Sequence, residues 1–318
     1  MISIQAADKS LNIKGKDFLT LADFSGDEIK GLLEKAKQLK EAYLQGAETS
    51  FLKGKILGMI FEKSSTRTRV SFEAGMLQLG GHALYLNSQD LQLGRGESIA
   101  DTAKVLSQYV DAIMIRTFSH EKIQELAYHA DIPVINGLTD LYHPCQALAD
   151  LLTIEEKNGE LKGQNLAYIG DGNNVAHSLM IASAKMGVNI TIACPAGYEP
   201  DQSVLQQSQE FAEQTGSKVI VTSDPEEAAA NADAIYTDVW TSMGHEAEND
   251  KRLKDFAEYQ VNQYLVQKAK NDYVFLHCLP AHRGEEVTAE VIDGNNSAVF
   301  QQAGNRLHVQ KAILSEIL

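Results

Sequence analysis

The sequence predicts an α/β protein of two doubly wound parallel-sheet, Rossmann-like domains, with a C-terminal helix packing back on the first. Three observations carry that expectation. Short β-rich runs alternate with amphipathic helical stretches along almost the whole chain; the pattern restarts after a break near the middle; and polar residues follow directly on the strands, where open α/β sheets hold their ligands. At 318 residues the chain has room for roughly two such domains.

The strand candidates are 56–61, 83–86, 111–115 and 133–135, then 166–169, 189–193, 218–221, 234–237 and 274–276. Helical patterns over 98–109, 121–129, 175–186 and 201–214 separate most of them, as parallel strands joined by crossovers require. The break falls within 147–163, where a helix-like stretch ends in Glu155-Glu156-Lys157-Asn158-Gly159 and is able to join two domains. The expected units are therefore 1–150 and 151–296, with 297–318 a long helix returning to the first. Residues 87–97 contain Gly, Gln and Ser with little periodicity and read as a mobile loop.

A net charge of −15 argues against non-specific nucleic-acid binding, and no basic tract or zinc-finger spacing contradicts it. An anionic ligand would need a locally positive pocket, because the global field would not attract it. No apolar run approaches the roughly 20 residues of a membrane span, and the N-terminal stretch lacks the pattern of a signal peptide, so a cytoplasmic protein is expected. Cys145, Cys194 and Cys278 are odd in number and far apart, which suits reduced thiols rather than disulfides or structural zinc.

The most informative run is Lys63-Ser64-Ser65-Thr66-Arg67-Thr68-Arg69, between the first strand and a helical pattern over 70–79. At a helix N-terminus, unpaired N–H groups favour an anion, and hydroxyls and guanidinium forks add directed bonds to several oxygens. The competing reading is an ordinary Ser/Thr cap with solvated arginines. Arg116 ends the strand 111–115, and His143-Pro144-Cys145-Gln146 opens a helix with an imidazole and an amide one turn apart, able to donate to a carbonyl or oxyanion.

In the second half, Gly170-Asp171-Gly172-Asn173-Asn174 follows a strand and invites a dinucleotide reading. Val175 occupies the third glycine position and the next strand ends in Ala193-Cys194-Pro195 without an acidic residue; both speak against a nicotinamide dehydrogenase, which stays a third reading, and Asn174 stands as a polar group for a small ligand. Asp238, followed by Ser242-Met243-Gly244, offers a carboxylate suited to an ammonium and a turn suited to a carboxylate. His277-Cys278-Leu279-Pro280 offers a thiol, but adjacent strand residues point to opposite faces, which disfavours a Cys/His nucleophile pair. Chelation by His277, Cys278 and His282 lacks convincing spacing.

Taken in this order, Ser65-Thr66-Arg67-Thr68-Arg69, His143-Pro144-Cys145-Gln146, Asp238 with Ser242-Met243-Gly244, and His277-Cys278-Leu279-Pro280 resemble the carbamoyltransferase family over nearly the whole chain. The first two motifs go with carbamoyl phosphate, and the Ser-Met-Gly and His-Cys-Leu-Pro motifs with the branch that uses ornithine. The resemblance implies that Ser65, Thr66, Arg67 and Thr68 bind the phosphate, that Arg116, His143 and Gln146 hold the carbamoyl part, and that Gln92 reaches the ligand across a subunit contact. Arg306 and the main chain at Cys278 and Leu279 would complete that set; Asn174, Asp238, Ser242 and Met243 would bind L-ornithine. Arg67, Arg116, His143, Asp238 and Cys278 would act in the transfer itself, with no metal and no organic cofactor. A homotrimer, or an assembly of trimers, is implied. A carbamoyltransferase for another amine such as putrescine, and a non-catalytic binder of the same fold, remain the alternatives.

Overall fold

The computed structural model describes residues 11–241 and 246–318. Contacts divide the chain into two compact units, Met1–Leu148 with Arg306–Leu318, and Ala149–Asn305.

The first unit contains α1 (Gly26–Leu44), β1 (Ile56–Phe61), α2 (Thr66–Gln78), β2 (His82–Asn87), α3 (Ile99–Leu106), β3 (Ala112–Arg116), α4 (His120–His129) and β4 (Val134–Leu138). Its sheet is parallel throughout, in the order β2-β1-β3-β4. The second unit contains β5 (Asn165–Ile169), α6 (Asn174–Met186), β6 (Asn189–Ala193), α7 (Gln202–Thr215), β7 (Val219–Thr222), β8 (Ala234–Thr237) and β9 (Val274–His277). Its five parallel strands run β7-β6-β5-β8-β9. The division between units falls inside α5 (Pro144–Asn158) and inside the last helix, Val299–Ile317.

Local chemistry sets the element ends. Ser25 and Glu28 form a reciprocal capping box at the start of α1, whose buried face repeats as Ile29, Leu32, Leu33, Ala36 and Leu39. Ser65 caps α2 by accepting a bond from the Thr68 N–H, so the helix begins four residues before the apolar spacing at 70–79 shows it. The central strands β1 and β3 are buried almost end to end, as helix-flanked parallel strands should be, while β2 is an exposed edge. In the second sheet, Ala167, Ile169, Ile235 and Phe275 enter one core with Trp240 and Phe256, while Tyr168 stacks on Tyr236 at 5.6 Å.

Within residues 87–97, Gln92–Arg95 form a 3-10 turn that Gly96 ends at φ 101°. One expectation is revised. The fourth strand runs to Leu138 rather than stopping at 135. Asn136 and Gly137 hide this extension because neither favours strands. Tertiary contacts override that preference. The buried Asn136 amide donates to the Leu19 carbonyl at 2.9 Å, and a Cβ at Gly137 would come within 2.5 Å of Met114 Sδ.

Strand order also locates the crevices. In the first sheet the chain runs out from β1 to β2 and returns to β3, so the loops after β1 and β3 diverge. In the second, β5 leads to β6 and β7 before the return to β8, and the loops after β5 and β8 diverge. Arg67 and Arg116 follow the first pair of strands; Asn173, Asn174 and Asp238 follow the second.

Candidate active site

Two groups of candidate residues form, one in each unit. In the first, Ser65 is the N-cap of α2, Thr66, Arg67 and Thr68 are in its opening turn, and Thr68 is buried. Arg116 ends β3, and His143 and Gln146 flank the start of α5; all three are buried. Arg306, from the last helix, donates through Nη1 to Gln146 Oε1 at 2.7 Å and through Nη2 to Thr68 Oγ1 at 3.2 Å. One guanidinium thus ties the α2 terminus to α5 across 238 positions of sequence.

Burial, and then the charges of Arg306, Arg116 and Arg67, hold the His143 imidazole well below its usual range. His143 is therefore a neutral donor or acceptor among cations rather than a fourth cation. The site is a local positive patch in an acidic chain, framed by a helix N-terminus and suited to a phosphate-bearing ligand. Cys145, by contrast, is inert: burial pushes its thiol up to about 12, and it donates to the Asn136 carbonyl.

Lys63, the first residue of the polar run, takes a structural place. It is buried, bonds Asp140 at 2.5 Å and sits 4.1 Å from the Phe118 ring centre, joining the turn after β1 to those after β3 and β4. Beside it, Glu62 accepts from Thr117 and Lys122. Gln92 lies on the 3-10 turn and is exposed.

In the second unit Asp238 is buried at the end of β8. Its Oδ1 accepts from the Cys278 thiol at 2.9 Å and the Val239 N–H at 2.8 Å; its Oδ2 accepts from Asn173 Nδ2 at 2.9 Å. Asn174 is the first residue of α6. Asn173, which the sequence reading passed over, is the one that touches Asp238. Its signal was present, since an Asn before a helical pattern is a cap, but a cap's second partner is invisible in sequence.

His277 is fully buried, and both of its ring nitrogens are engaged outside the Asp238–Cys278 pair. Its Nδ1 accepts from the Leu279 N–H at 2.9 Å, and its Nε2 lies 3.1 Å from Glu286 Oε1. This arrangement assigns the proton to Nε2 and supports Leu279, a non-glycine residue at φ 59°. Asp238, His277 and Cys278 bring possible ligand atoms within 4.8 Å of one another. With both His277 nitrogens engaged, two donors remain, fewer than the three protein ligands of catalytic zinc. His282, Glu285 and Glu286 also gather, as ion pairs at 3.4 and 3.9 Å around a half-exposed histidine. Ser242 and Met243 lie outside the described residues.

Gly172 has a use unrelated to nucleotides. A Cβ there would meet Pro200 N at 2.3 Å and Glu199 C at 2.5 Å, so the glycine admits the chain's own backbone where a dinucleotide fold would admit pyrophosphate.

Comparison with known proteins agrees with this geometry. Residues 16–156 match the carbamoyl-P binding domain of the aspartate/ornithine carbamoyltransferases, and residues 162–317 match their Asp/Orn binding domain. An ornithine carbamoyltransferase of Anoxybacillus flavithermus is 64% identical over 309 residues, covering 97% of this chain and 98% of its own. One from Bacillus subtilis is 66% identical over 307 residues, covering 96% and 95%. The solved ornithine carbamoyltransferase of Pyrococcus furiosus superposes with a TM-score of 0.94 at 57% identity, over 96% of this chain and 97% of that one.

Proposed function

The chain belongs to the aspartate/ornithine carbamoyltransferase family, and from that premise we infer that it transfers the carbamoyl group of carbamoyl phosphate to the δ-amine of L-ornithine, giving L-citrulline and phosphate. One observation carries the reading on chemical grounds: the chain builds an arginine-rich helix terminus at one switch point and a buried carboxylate at the other. The first suits a phosphate, the second an ammonium.

Ser65, Thr66, Arg67 and Thr68 take the phosphate, and Arg116, His143 and Gln146 the carbamoyl group, with Arg306 bracing Gln146 and Thr68. Asn174, Asp238, Ser242 and Met243 take ornithine. The neutral δ-amine attacks the carbonyl carbon, a C–N bond forms, and the carbonyl electrons move to oxygen. The oxyanion then collapses, the C–O bond to phosphate breaks, and the amine loses one proton. Arg116, Thr68 and neutral His143 stabilise the oxyanion; Arg67 and the α2 terminus stabilise the departing phosphate. Cys278 and Asp238, already hydrogen-bonded, orient the amine and take part in moving its proton.

The chain works as a trimer in this reading, with Gln92 serving a neighbouring subunit. The edge position of β2, paired on one side alone among the described residues, supports it, together with the exposed apolar side chains Val70 and Leu77 on α2 and Leu84 on β2. Among the described residues no helix is long and apolar enough to cross a membrane, and all three cysteines are free, in keeping with a cytoplasmic enzyme.

The test is a product assay with carbamoyl phosphate and, separately, ornithine, putrescine and aspartate, measuring ureido product and released phosphate. Citrulline from ornithine alone is expected. Carbamoylation of putrescine would overturn the roles of Asp238, Ser242 and Met243 but keep those of the first unit; no product with any amine would overturn the whole reading.

A further inference from the structure

We propose that Asn173 is a positioning residue for the amine substrate: one side chain caps α6 and at the same time holds the Asp238 carboxylate in place. This deepens the reading of Asp238 as an ornithine ligand and rests on it. Asn173 Oδ1 accepts from the Val175 N–H at 2.9 Å, the Ala176 N–H at 3.2 Å and the Tyr168 hydroxyl at 3.2 Å. Two backbone donors need an acceptor, and a carboxylate needs a donor, so only one orientation of the amide satisfies both sides. Nδ2 must then face Asp238 Oδ2, which it does at 2.9 Å.

Asp238 is fixed at both oxygens, by the Cys278 thiol and the Val239 N–H at one and by Asn173 at the other. The Cys278 thiol is also the group assigned to the amine, so among the described residues Asn173 is the side-chain anchor left to keep the carboxylate aimed while that thiol exchanges partners. The charged or titratable groups around it, among the described residues, are Cys278, His277, Tyr168, Tyr236 and Asp171, the last paired with Arg252 at 2.7 Å.

Cap chemistry and carboxylate chemistry rank substitutions differently, and that separates the two roles. Asn, Asp and Ser cap helices about equally well, so a residue that only caps would tolerate both changes. A residue that donates to Asp238 would not. Asn173→Ser keeps an acceptor for the helix and removes the donor. Asn173→Asp keeps the shape and sets a carboxylate against a carboxylate.

The experiment measures melting temperature, ornithine KM, carbamoyl phosphate KM and kcat for wild type and both variants between pH 6 and 8. Both variants should melt within about 3 °C of wild type, since the cap survives. Asn173→Ser should raise ornithine KM about tenfold with carbamoyl phosphate KM unchanged. Asn173→Asp should raise ornithine KM further than Asn173→Ser, because it sets a second carboxylate against Asp238 in place of the donor. Ornithine KM within twofold of wild type in both variants, or Asn173→Asp no worse than Asn173→Ser at every pH, would overturn the proposal while leaving the reaction assignment standing. Should Asn173→Asp fail to fold, Asn173→Ser decides alone. A wild-type protein that makes no citrulline would overturn the functional reading and this inference with it.

Discussion

Three arginines around one imidazole settle what His143 is able to do. Held neutral by burial and by Arg306, Arg116 and Arg67, it would serve the proposed reaction as a hydrogen-bonding group and not as an acid that titrates near pH 7. The catalytic load then falls on the cations. Removing one oxyanion or phosphate donor commonly raises a barrier by about 3 kcal/mol, so Arg67→Ala and Arg116→Ala should each lower kcat by roughly a hundredfold or more, with circular dichroism and melting unchanged. Near-normal turnover in either folded variant would remove that arginine from the mechanism. The histidines also make stability depend on pH. His120 is brought down to about 4 by burial, and His143 is held low as well. Both folded values lie below the unfolded value near 6.5, so the unfolded chain takes up these protons first. Their contribution is fully present above pH 6.5 and is lost as the pH falls towards 4. Urea unfolding from pH 7.5 to 4.5 should show that decline, and His120→Asn should flatten part of it.

At the scale of elements, the loops after β5 and β8 show how a tight turn serves chemistry. Gly172 lets the backbone at Glu199 and Pro200 pass closely, and its own N–H donates to the Tyr198 carbonyl at 2.9 Å. The Asn173 cap follows immediately, so the turn sets where the cap and its amide end up. Gly172→Ala puts a methyl against backbone, which has no rotamer with which to yield. A destabilisation of about 1–3 kcal/mol in denaturant unfolding is expected, together with weaker ornithine binding. A variant as stable and active as wild type would show that the turn relaxes freely. Arg252 steadies the same region, donating to Asp171 and to the Trp240 carbonyl at 2.7 and 2.8 Å.

For the whole molecule, a charge of −15 favours solubility but offers an anion no long-range attraction, so in the proposed reaction the local field of Arg67, Arg116 and Arg306 would have to capture carbamoyl phosphate. Self-association belongs to this scale too. Val70 and Leu77 project from α2 two turns apart and are each 58% exposed, beside the edge strand β2. Sedimentation should give a particle near three times 34.9 kDa, and Val70→Lys with Leu77→Lys should release monomers. Loss of activity on release would agree with Gln92 acting in a neighbour. A wild-type monomer of full activity would contradict both points.

The sequence by itself determined the alternation of strands and helices, because hydrophobic period and cap chemistry are local properties that survive without a fold. It also determined that Ser65 to Arg69, Arg116, Asn174, Asp238 and Cys278 would stand at or near strand ends, for a polar run after a strand has few other places to go. Only the tertiary structure decided what those residues became. The neutral state of His143 depends on its burial and then on Arg306, Arg116 and Arg67, which lie far apart in sequence, on the last helix, β3 and α2. The second partner of the Asn173 cap is Asp238, 65 positions away. Extension of β4 through Asn136 and Gly137 depends on neighbours at Leu19 and Met114. Desolvation, charge proximity and side-chain direction are long-range quantities, and no local pattern encodes them.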